Sequence, residues 1–256
     1  MIASVLITNY NNSKFIDDCI ISLKNQTYSK IEILFHDDGS SDNSLEVIKK
    51  YSDIIIIENK IKTKYGSLNQ LNAFKKMCEL CSGEILFFLD SDDYFHKSKI
   101  YNIIKEFENS EKSQIIFDYP QILEDGKTYF EKKKKKIFKS YWSYIHPTSC
   151  ISIRKDTAEE LFNYINVQDY FDTWMDFRTN IYSKYLNKSI KILDEHLTVY
   201  RKSSTNVSSN FKKFSKNWWK RRKEAHDYLF FFLKKNGIKT NNNLDKIITN
   251  LVCKFF

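Results

Sequence analysis

The stretch that decides the fold is Ile85-Leu86-Phe87-Phe88-Leu89-Asp90-Ser91-Asp92-Asp93, in which an unbroken apolar run ends in three carboxylates. A short run of Ile, Leu and Phe is typical of a strand that is buried on both faces of a parallel sheet. Because side chains alternate along a strand, Asp90 and Asp92 point to the same side if the strand geometry persists. Such a pair can hold a hard divalent cation, which can in turn hold a diphosphate. The alternative is a polar turn whose Asp residues cap the next helix.

The region around this stretch alternates between strand and helix patterns. Strands are predicted over residues 2–8, 31–35, 54–57 and 85–89, and helices over 15–25, 44–51, 67–80 and 97–107. Strands that alternate with helices form right-handed βαβ units. We therefore expect an α/β fold with a mainly parallel sheet that carries helices on both faces.

The alternation weakens after residue 110. Short strands are predicted over 114–117, 190–193 and 197–200, and one helix over 169–186. From residue 211 onward the pattern is helical, basic and aromatic, which predicts a helical C-terminal extension over residues 211–256. The net charge of +9 is unevenly placed, with one basic block at Lys132–Lys136 and another in this extension. Such unevenness argues against a continuous nucleic-acid groove, so no nucleic-acid partner is expected.

The five cysteines are irregularly spaced. Cys78 and Cys81 have no second pair, so we expect free thiols in a reducing cytoplasm rather than a zinc site. The sequence starts directly in a predicted strand, without the charged and apolar regions of a signal peptide. No apolar stretch reaches the roughly 18 residues of a membrane-spanning helix. We expect a cytoplasmic protein that is at most peripheral on the inner face of the plasma membrane.

Three polar clusters follow three of the predicted strands. They are Thr8-Asn9-Tyr10, Asp37-Asp38-Gly39-Ser40 and Asp90-Ser91-Asp92-Asp93. In a parallel sheet all three fall at one edge, where they can converge on one ligand. Carboxylates repel a free phosphate, but they accept hydrogen bonds from a base or ribose and can bind the cation that neutralises a diphosphate. The clusters therefore predict a site for a sugar nucleotide.

Four segments in this order resemble the family 2 glycosyltransferases, which are inverting enzymes with the GT-A fold. The segments are Ser4-Val5-Leu6-Ile7-Thr8-Asn9-Tyr10-Asn11, Gln26-Thr27-Tyr28, Ile33-Leu34-Phe35-His36-Asp37-Asp38-Gly39-Ser40-Ser41-Asp42 and Phe88-Leu89-Asp90-Ser91-Asp92-Asp93. The resemblance implies a GT-A domain over residues 1–210, with a nucleotide-sugar half (1–110) and an acceptor half (111–210). Residues 211–256 would be an addition to that domain.

The resemblance also implies roles for individual residues. Thr8 and Tyr10 would line the nucleotide pocket, and one of Asp37 and Asp38, with Asp38 favoured, would accept a hydrogen bond from the base. The full set of expected nucleotide-sugar-binding residues is Thr8, Asn9, Tyr10, Asp37, Asp38, Asn69, Asn72, Asp90, Ser91, Asp93 and Arg201.

Some of these residues have an ordinary alternative. Asn69 and Asn72 resemble the family's helix that approaches the nucleotide, but they equally fit exposed polar positions of any helix. Asp90 would approach the ribose or the metal, and Asp92 would bind Mn²⁺ or Mg²⁺. Asp93 would lie near the donor sugar or acceptor, unless it caps a helix.

An inverting transfer needs a base on the acceptor side, opposite the leaving diphosphate. In the family this base begins a helix shaped like Glu-Asp-x-x-Leu-Trp-Leu-Arg, and here Phe171-Asp172-Thr173-Trp174-Met175-Asp176-Phe177-Arg178 stands in that place. Asp172 precedes Arg178 by the expected spacing and is the favoured base. Phe171 stands where an acid is usual, which keeps Asp176 in contention. Both acids could instead complement the helix dipole.

The segment Val199–Ser208 resembles the family's Tyr-Arg-x-His loop, which closes over the donor. Ser203 occupies the place where the His often stands, so Arg201 or Lys202 would contact the diphosphate instead. The extension over residues 211–256 would pack on the catalytic domain or on a partner chain, or dock to an anionic bilayer. The sequence also leaves open whether the chain forms a homo-oligomer.

The sequence therefore predicts a metal-dependent inverting glycosyltransferase. It would move a sugar from a nucleotide-diphosphate donor, with a lean toward UDP, to a hydroxyl of a cell-surface glycan such as a capsule or lipooligosaccharide, or of a lipid-linked acceptor. One rival is a sugar nucleotidyltransferase, which would need a Gly-rich basic loop after the first strand, where Asn9-Tyr10-Asn11-Asn12 stands. The other is a catalytically inert protein of the same fold that binds nucleotide sugars or polyanions.

Overall fold

A computed structural model describes residues 1–130, 144–165, 169–186, 189–202, 211–240 and 243–256. Its strands are β1 (Ala3–Asn9), β2 (Ile31–Asp37), β3 (Ile55–Glu58), β4 (Ile85–Asp90), β5 (Tyr94–Phe95), β6 (Ile115–Phe117), β7 (Pro120–Glu124), β8 (Lys127–Phe130), β9 (Ile151–Arg154), β10 (Ile190–Ile192) and β11 (Thr198–Lys202). Its α-helices are α1 (Ser13–Lys24), α2 (Ser44–Ile48), α3 (Gly66–Leu80), α4 (Lys99–Asn109), α5 (Lys155–Ile165), α6 (Met175–Tyr185), α7 (Lys216–Lys235) and α8 (Leu244–Cys253). A 3₁₀ turn covers Thr148–Cys150.

Seven of the described strands form one twisted sheet in the order β10-β6-β9-β4-β1-β2-β3. β1 is parallel to both β2 and β4, and β9 is the antiparallel strand between β4 and β6. The chain moves outward from β1 to β3 and then returns to the other side of β1 as β4. The carboxyl ends of β1, β2 and β4 therefore meet where the strand order reverses, which is the usual place for a ligand in such sheets.

Helices cover both faces of this sheet, so the predicted α/β architecture is confirmed. On one face, Leu6, Leu86 and Phe88 pack against α3, α5, α6 and α7. On the other face, Phe87 and Leu89 pack against α1, α2 and α4. Because β4 is buried on both sides, its side chains are apolar without interruption up to Asp90.

A second, four-stranded sheet has the order β5-β11-β7-β8. The sequence analysis did not assign β5, β7, β8 or β9, nor helix α5. The β7–β8 hairpin turns through Asp125-Gly126, both with positive φ, and this dipeptide favours a two-residue hairpin turn. That part of the second sheet was therefore readable in the sequence.

Helix α6 begins later than the predicted helix over residues 169–186. The fully buried guanidinium of Arg178 donates from Nε to the carbonyl of Thr173 at 2.9 Å and also bonds the carbonyls of Tyr170 and Ile165. Two of these carbonyls, those of Tyr170 and Thr173, lie in the segment just before the helix, which starts at Met175.

The predicted C-terminal extension is helical, with α7 packed on the core through Tyr228, Leu229 and Phe232. α8 packs on α7. Within the described part of the chain, no helix is both long enough and apolar enough to cross a membrane.

A buried ion pair joins the two sheets beneath the site. Lys99 Nζ on α4 lies 2.8 Å from Asp118 Oδ1, and both side chains are fully buried. Lys99 Nζ also donates to the carbonyl of Ser149 at 2.7 Å and to Thr198 Oγ1 at 2.5 Å. Thr198 in turn donates to Asp118 Oδ2 at 2.7 Å. α4, the 3₁₀ turn and β11 are thereby held around one charge pair.

We predict that Lys99→Met lowers the free energy of unfolding by roughly 3–5 kcal/mol, because it leaves the Asp118 carboxylate buried without its partner. The measurement is urea-induced unfolding at pH 7. Lys105→Met, at an exposed position of the same helix, is the matched control and should change stability by less than about 0.5 kcal/mol. Equal losses in both variants would contradict a special role for the buried pair.

Candidate active site

The strand register brings the three polar clusters of the sequence to one edge of the sheet. Thr8 on β1 lies opposite Asp90 on β4, and Asn9 lies opposite Asp37 on β2. Thr8 Oγ1 donates to Asp90 Oδ1 at 3.0 Å. Asn9 Nδ2 donates to Asp37 Oδ1 at 2.8 Å, and Asn9 Oδ1 accepts from Ser91 Oγ at 2.7 Å. The edge is therefore a connected hydrogen-bond network.

A cavity of about 620 Å³ opens above this edge. Its lining includes eight of the residues singled out in the sequence: Thr8, Asn9, Tyr10, Asp38, Asn69, Asp90, Asp92 and Asp176. The walls of the cavity come from the ends of β1, β2 and β4 and the loops that follow them, from α3 and from the start of α6. Donor-side and acceptor-side candidates thus share one space.

Asp37 and Asp38 have different surroundings. Asp37 is buried, and its carboxylate accepts from Asn9 Nδ2 and from the backbone N–H of Ser40 at 2.9 Å. Asp38 lines the cavity, where Asn59 Nδ2 donates to its Oδ1 at 2.9 Å. Asp37 therefore shapes the loop, and Asp38 is the carboxylate that a nucleotide can reach.

The acidic cluster after β4 is only partly satisfied by the protein. Asp90 Oδ1 accepts from Thr8 Oγ1 and from Gln70 Nε2, the latter at 2.7 Å. Asp93 is buried and accepts from Ser149 Oγ at 2.5 Å and from the backbone N–H of Arg201 at 2.8 Å. Apart from its own backbone N–H, the Asp92 carboxylate accepts no hydrogen bond from the described part of the chain, and it lines the cavity.

Burial and mutual repulsion raise the pKa values of this cluster. Burial, followed by the charge of Asp90, raises the pKa of Asp92 to about 7. Burial also raises the pKa of Asp90, and burial together with Asp92 and Asp90 raises the pKa of Asp93. The charge of Arg201 lowers the pKa of Asp92, but burial and the charge of Asp90 outweigh it.

A divalent cation fits this arrangement. Within the described ranges, no group of three or more His, Cys, Asp or Glu side chains could ligate a metal ion by itself. Asp90 and Asp92 can still supply two oxygen ligands, and Mg²⁺ commonly uses one or two carboxylates together with substrate phosphates and water. The Asp92 carboxylate, which faces the cavity and accepts few hydrogen bonds from the protein, is the observation that supports a metal ion here.

The two candidate bases differ in where their side chains lie. Asp176, in the first turn of α6, lines the cavity, whereas Asp172 does not. Asp172 contributes its backbone instead: its N–H donates to Glu224 Oε1 at 2.8 Å, and its carbonyl accepts from Arg221 Nε at 3.0 Å. Burial raises the pKa of Asp176 to about 7, and the charge of Asp90 acts in the same direction.

Four other predicted residues lie outside the cavity lining. Asn72 is exposed and does not line the cavity, although it lies only one turn along α3 from Asn69. Ser91 is buried and positions Asn9. Arg201 donates from Nη2 to Asp18 Oδ2 at 2.8 Å and from Nε to the carbonyl of Asp92 at 2.9 Å.

Asp93, the fourth, is buried beneath the edge. It bonds Ser149 and the backbone of β11 instead of capping a helix. The loop from Ser203 onward and Lys132–Lys136 fall outside the described residues.

The cavity also contains residues that the sequence analysis did not select. Gln70 bonds Asp90, and Lys62 Nζ lies 3.9 Å from the centroid of the Tyr10 ring. Gln70 directly follows Asn69 on α3, so its position next to a predicted nucleotide-binding residue was a signal in the sequence. Arg221 also lines the cavity, but it arrives from α7, whose docking no local pattern reveals.

Comparisons with known proteins agree on one family. The family model for glycosyl transferase family 2 matches residues 4–208. An uncharacterised glycosyltransferase of Nostoc sp. is 30% identical over 210 residues, covering 77% of this chain and 64% of the relative. The Escherichia coli UDP-Glc:alpha-D-GlcNAc-diphosphoundecaprenol beta-1,3-glucosyltransferase WfaP is 30% identical over 223 residues, covering 82% and 80%. The chain thus spans less than two thirds of the Nostoc protein.

Solved structures show the same fold. Staphylococcus aureus TarS (residues 1–349) in complex with UDP has a TM-score of 0.65 and 17% identity, covering 100% of this chain and 70% of that one. The mannosyltransferase PcManGT of Pyrobaculum calidifontis, in complex with GDP-Man and Mn²⁺, has a TM-score of 0.59 and 13% identity, covering 98% and 68%. These likenesses confirm the GT-A fold predicted from the sequence.

The raised pKa of Asp176 predicts a pH-dependent stability. An unfolded Asp ionises near pH 4, so between about pH 4 and 7 the Asp176 carboxyl binds a proton more fully in the folded chain than in the unfolded chain. The contribution of Asp176 to stability must therefore fall as the pH rises through this window. Asp176→Asn removes the contribution and should stabilise the protein by at most about 1.4 kcal/mol for each pH unit crossed.

Urea unfolding of both proteins at pH 5 and pH 8 measures this effect. The gain from Asp176→Asn should be larger at pH 8 than at pH 5. Asp125→Asn, in the exposed β7–β8 turn, is the control. A gain that is equal at both pH values would show that the Asp176 carboxyl ionises normally in the folded state.

Proposed function

The chain belongs to glycosyl transferase family 2, and on this premise we propose that it is a metal-dependent inverting glycosyltransferase for a bacterial cell-surface glycan. The donor would be a nucleotide-diphosphate sugar, and the acceptor a glycan hydroxyl. The observation that carries the proposal is one cavity that holds an acidic pair, Asp90 and Asp92, together with a separate half-buried carboxylate, Asp176. A rival nucleotidyltransferase would bind phosphates at a Gly-rich basic loop after β1, where Asn9 and Tyr10 stand.

The donor is proposed to be a UDP-sugar. Asp38 would accept a hydrogen bond from the base, and the exposed Tyr10 ring beside Lys62 offers a face against which the base can stack. The TarS structure contains UDP, and the named activity of WfaP uses UDP-Glc. The part of the cavity between Asp92 and Asp176 would determine which donor sugar is accepted.

Asp92 and Asp90 would hold Mn²⁺ or Mg²⁺ at the diphosphate. When bound, the cation would offset the negative charge that develops on the leaving group. The complex of PcManGT with Mn²⁺ supports a divalent metal in this fold. Thr8 and Gln70 would keep the Asp90 carboxylate oriented through their two hydrogen bonds.

Asp176 is proposed as the base. It would accept the proton of the acceptor hydroxyl while that oxygen forms a bond to the anomeric carbon and the bond to the diphosphate breaks. A carboxylate with a pKa near 7 is a stronger base than an ordinary Asp, yet about half of it is ionised at pH 7 and most of it above that pH. Asp172, favoured from the sequence, would instead position Arg221 through its backbone carbonyl.

The acceptor would approach through a second cavity of about 260 Å³ that shares Trp174 and Arg221 with the first. The Arg221 guanidinium is stacked between two rings, 4.2 Å from the centroid of Trp174 and 4.2 Å from that of Phe211. Trp218 completes the aromatic wall. Aromatic faces suit sugar rings, and a guanidinium suits a phosphate or carboxylate on the acceptor.

We extend this proposal to the organisation of the chain. Residues 1–110 would supply the donor side, residues 111–210 the acceptor side, and α7 within 211–256 one wall of the acceptor cavity. The acceptor, a glycan or a lipid-linked precursor such as the one in the name of WfaP, would be met at the cytoplasmic face of the membrane. Peripheral membrane contact would then come from residues 211–256.

Release of UDP from a UDP-sugar in the presence of Mn²⁺ tests the catalytic assignments. Asp92→Asn and Asp176→Asn should each lower kcat by roughly 10²–10⁴-fold, through loss of the metal ligand and of the base respectively. The kcat/KM of the unaltered protein should fall about tenfold per unit below pH 7, because protonated Asp176 cannot accept a proton. The Asp125→Asn control should retain full activity.

Two results would contradict these assignments. A larger loss in Asp172→Asn than in Asp176→Asn would move the base to Asp172. UDP-sugar binding without any release of UDP, in all metal and acceptor conditions, would favour the inert binding protein that the sequence left open.

If the second cavity binds the acceptor, a change in its wall should alter the KM for the acceptor but not the KM for the UDP-sugar. Trp218→Ala should leave the KM for the UDP-sugar in the hydrolysis assay unchanged, and raise the KM for the glycan acceptor roughly five- to tenfold through loss of ring stacking. Trp219→Ala is a close control, because Trp219 stacks edgewise on Trp218 but lines neither cavity. A rise in the donor KM for Trp218→Ala would assign the second cavity to the donor.

A further inference from the structure

Helix α8 is docked with its polar side toward the protein. Asp245 accepts two hydrogen bonds from Arg222, at 3.1 Å from Nε and 2.5 Å from Nη2. Thr249 is fully buried, and Cys253 Sγ donates to the carbonyl of Trp219 at 3.4 Å. These residues recur every four positions, so they form the face of α8 that contacts α7.

The opposite face of α8 is apolar and exposed. Leu244, Ile247, Ile248, Leu251 and Phe255 keep between 44% and 86% of their surface exposed. The spacing of three and four residues places the first four on one stripe of the helix, and Phe255 follows just after the helix ends. No described residue covers this stripe, although a soluble helix ordinarily turns its apolar face inward. The orientation of α8 therefore leaves an apolar surface that is open to contact with a partner.

The charge of the chain indicates which kind of partner would bind this apolar surface. Residues 211–256 contain twelve Lys and Arg but only three Asp and Glu, whereas residues 1–210 contain 29 of each. The whole net charge of +9 thus resides in the segment that carries the apolar stripe. A second copy of the same face would bring two such positive surfaces together, which like-charge repulsion opposes.

Lysines stand beside the stripe on α7. Lys216 is exposed, and its Nζ lies 5.7 Å from the centroid of the Phe256 ring. Lys220 is exposed and close enough to Cys253 of α8 to influence the pKa of its thiol. Neither lysine forms an ion pair with any residue in the described part of the chain. Apolar and cationic groups therefore face solvent side by side.

We propose that α8, together with Lys216 and Lys220, is a docking face for an anionic lipid bilayer. An interfacial helix buries its apolar face at the boundary between head groups and acyl chains. Lysines near an anionic surface strengthen that binding. Both elements are needed, because neither a modest apolar stripe nor a few surface lysines hold a protein of this size alone.

Helix α7 links this docking face to the acceptor cavity. It carries Lys216 and Lys220 on one side and supplies Trp218 and Arg221, from another side of the helix, to that cavity. The docking face itself is independent of the proposed transferase chemistry, so it can be tested without donor or acceptor.

Co-sedimentation of the full chain with phospholipid vesicles tests the proposal. The chain should bind vesicles that contain phosphatidylglycerol and bind poorly to pure phosphatidylcholine vesicles, and high salt should weaken binding. The double change Ile248→Gln and Leu251→Gln should lower the partition coefficient roughly tenfold, since it removes apolar groups at constant charge. Ile21→Gln with Leu80→Gln, two exposed apolar positions on α1 and α3, should bind like the unaltered chain.

The charge contribution has its own matched pair. Lys216→Gln with Lys220→Gln should lower the partition coefficient about tenfold or more, because each lysine near an anionic surface adds about 1 kcal/mol. Lys105→Gln with Lys112→Gln removes the same charge from exposed positions elsewhere and should have little effect. Melting temperatures of all variants should match the unaltered chain, since every changed side chain is exposed.

Two outcomes would overturn the proposal. One is equal binding to both kinds of vesicle, or none. The other is a dimer in solution, seen by light scattering without vesicles, that the Ile248 and Leu251 changes dissociate; it would assign the face to a second copy. UDP release by the same variants in solution should be unchanged in every case, so failure of the docking face leaves the transferase proposal intact.

Discussion

The main constraint on this structure is that several carboxylates lie close together at the end of β4. Asp90, Asp92 and Asp93 follow a strand that is buried on both faces, and burial raises the pKa of all three. Asp176 approaches the same cavity from α6 and is affected in the same direction. Such a concentration of acids costs stability in the protein alone. It suits a ligand that brings positive charge, and this is the chemistry of a metal-bound nucleotide diphosphate.

The scaffold explains how the acids are kept in place. The ion pair of Lys99 and Asp118 holds the Ser149 carbonyl, while Ser149 Oγ donates to Asp93 and accepts from the backbone N–H of Asp90. The backbone of β11 reaches Asp93 through Arg201. The acidic edge is thus supported by a second layer of buried polar groups. Changes in that layer should be felt as changes in stability and in the geometry of the edge together.

The donor side of the cavity could be predicted from the sequence because it depends on local rules. A buried strand, a polar turn and a parallel sheet suffice to bring Thr8, Asp38 and Asp90 to one edge. The acceptor side depends on distant contacts. The segment before α6 is held by carbonyl bonds from Arg178, and in this arrangement Asp176 and not Asp172 lines the cavity. Arg221 reaches the site only because α7 packs across the core, and no spacing reveals that.

The inverted packing of α8 was also unreadable, because the helical pattern identifies an apolar stripe but not the side on which the partner lies. A crystal structure of the chain soaked with Mn²⁺ and UDP would show whether the edge after β4 binds a metal-bound diphosphate. We expect anomalous density for manganese against the Asp92 carboxylate, with the diphosphate beside it and the uracil near Asp38. Nucleotide bound elsewhere, or manganese bound away from Asp90 and Asp92, would contradict this expectation.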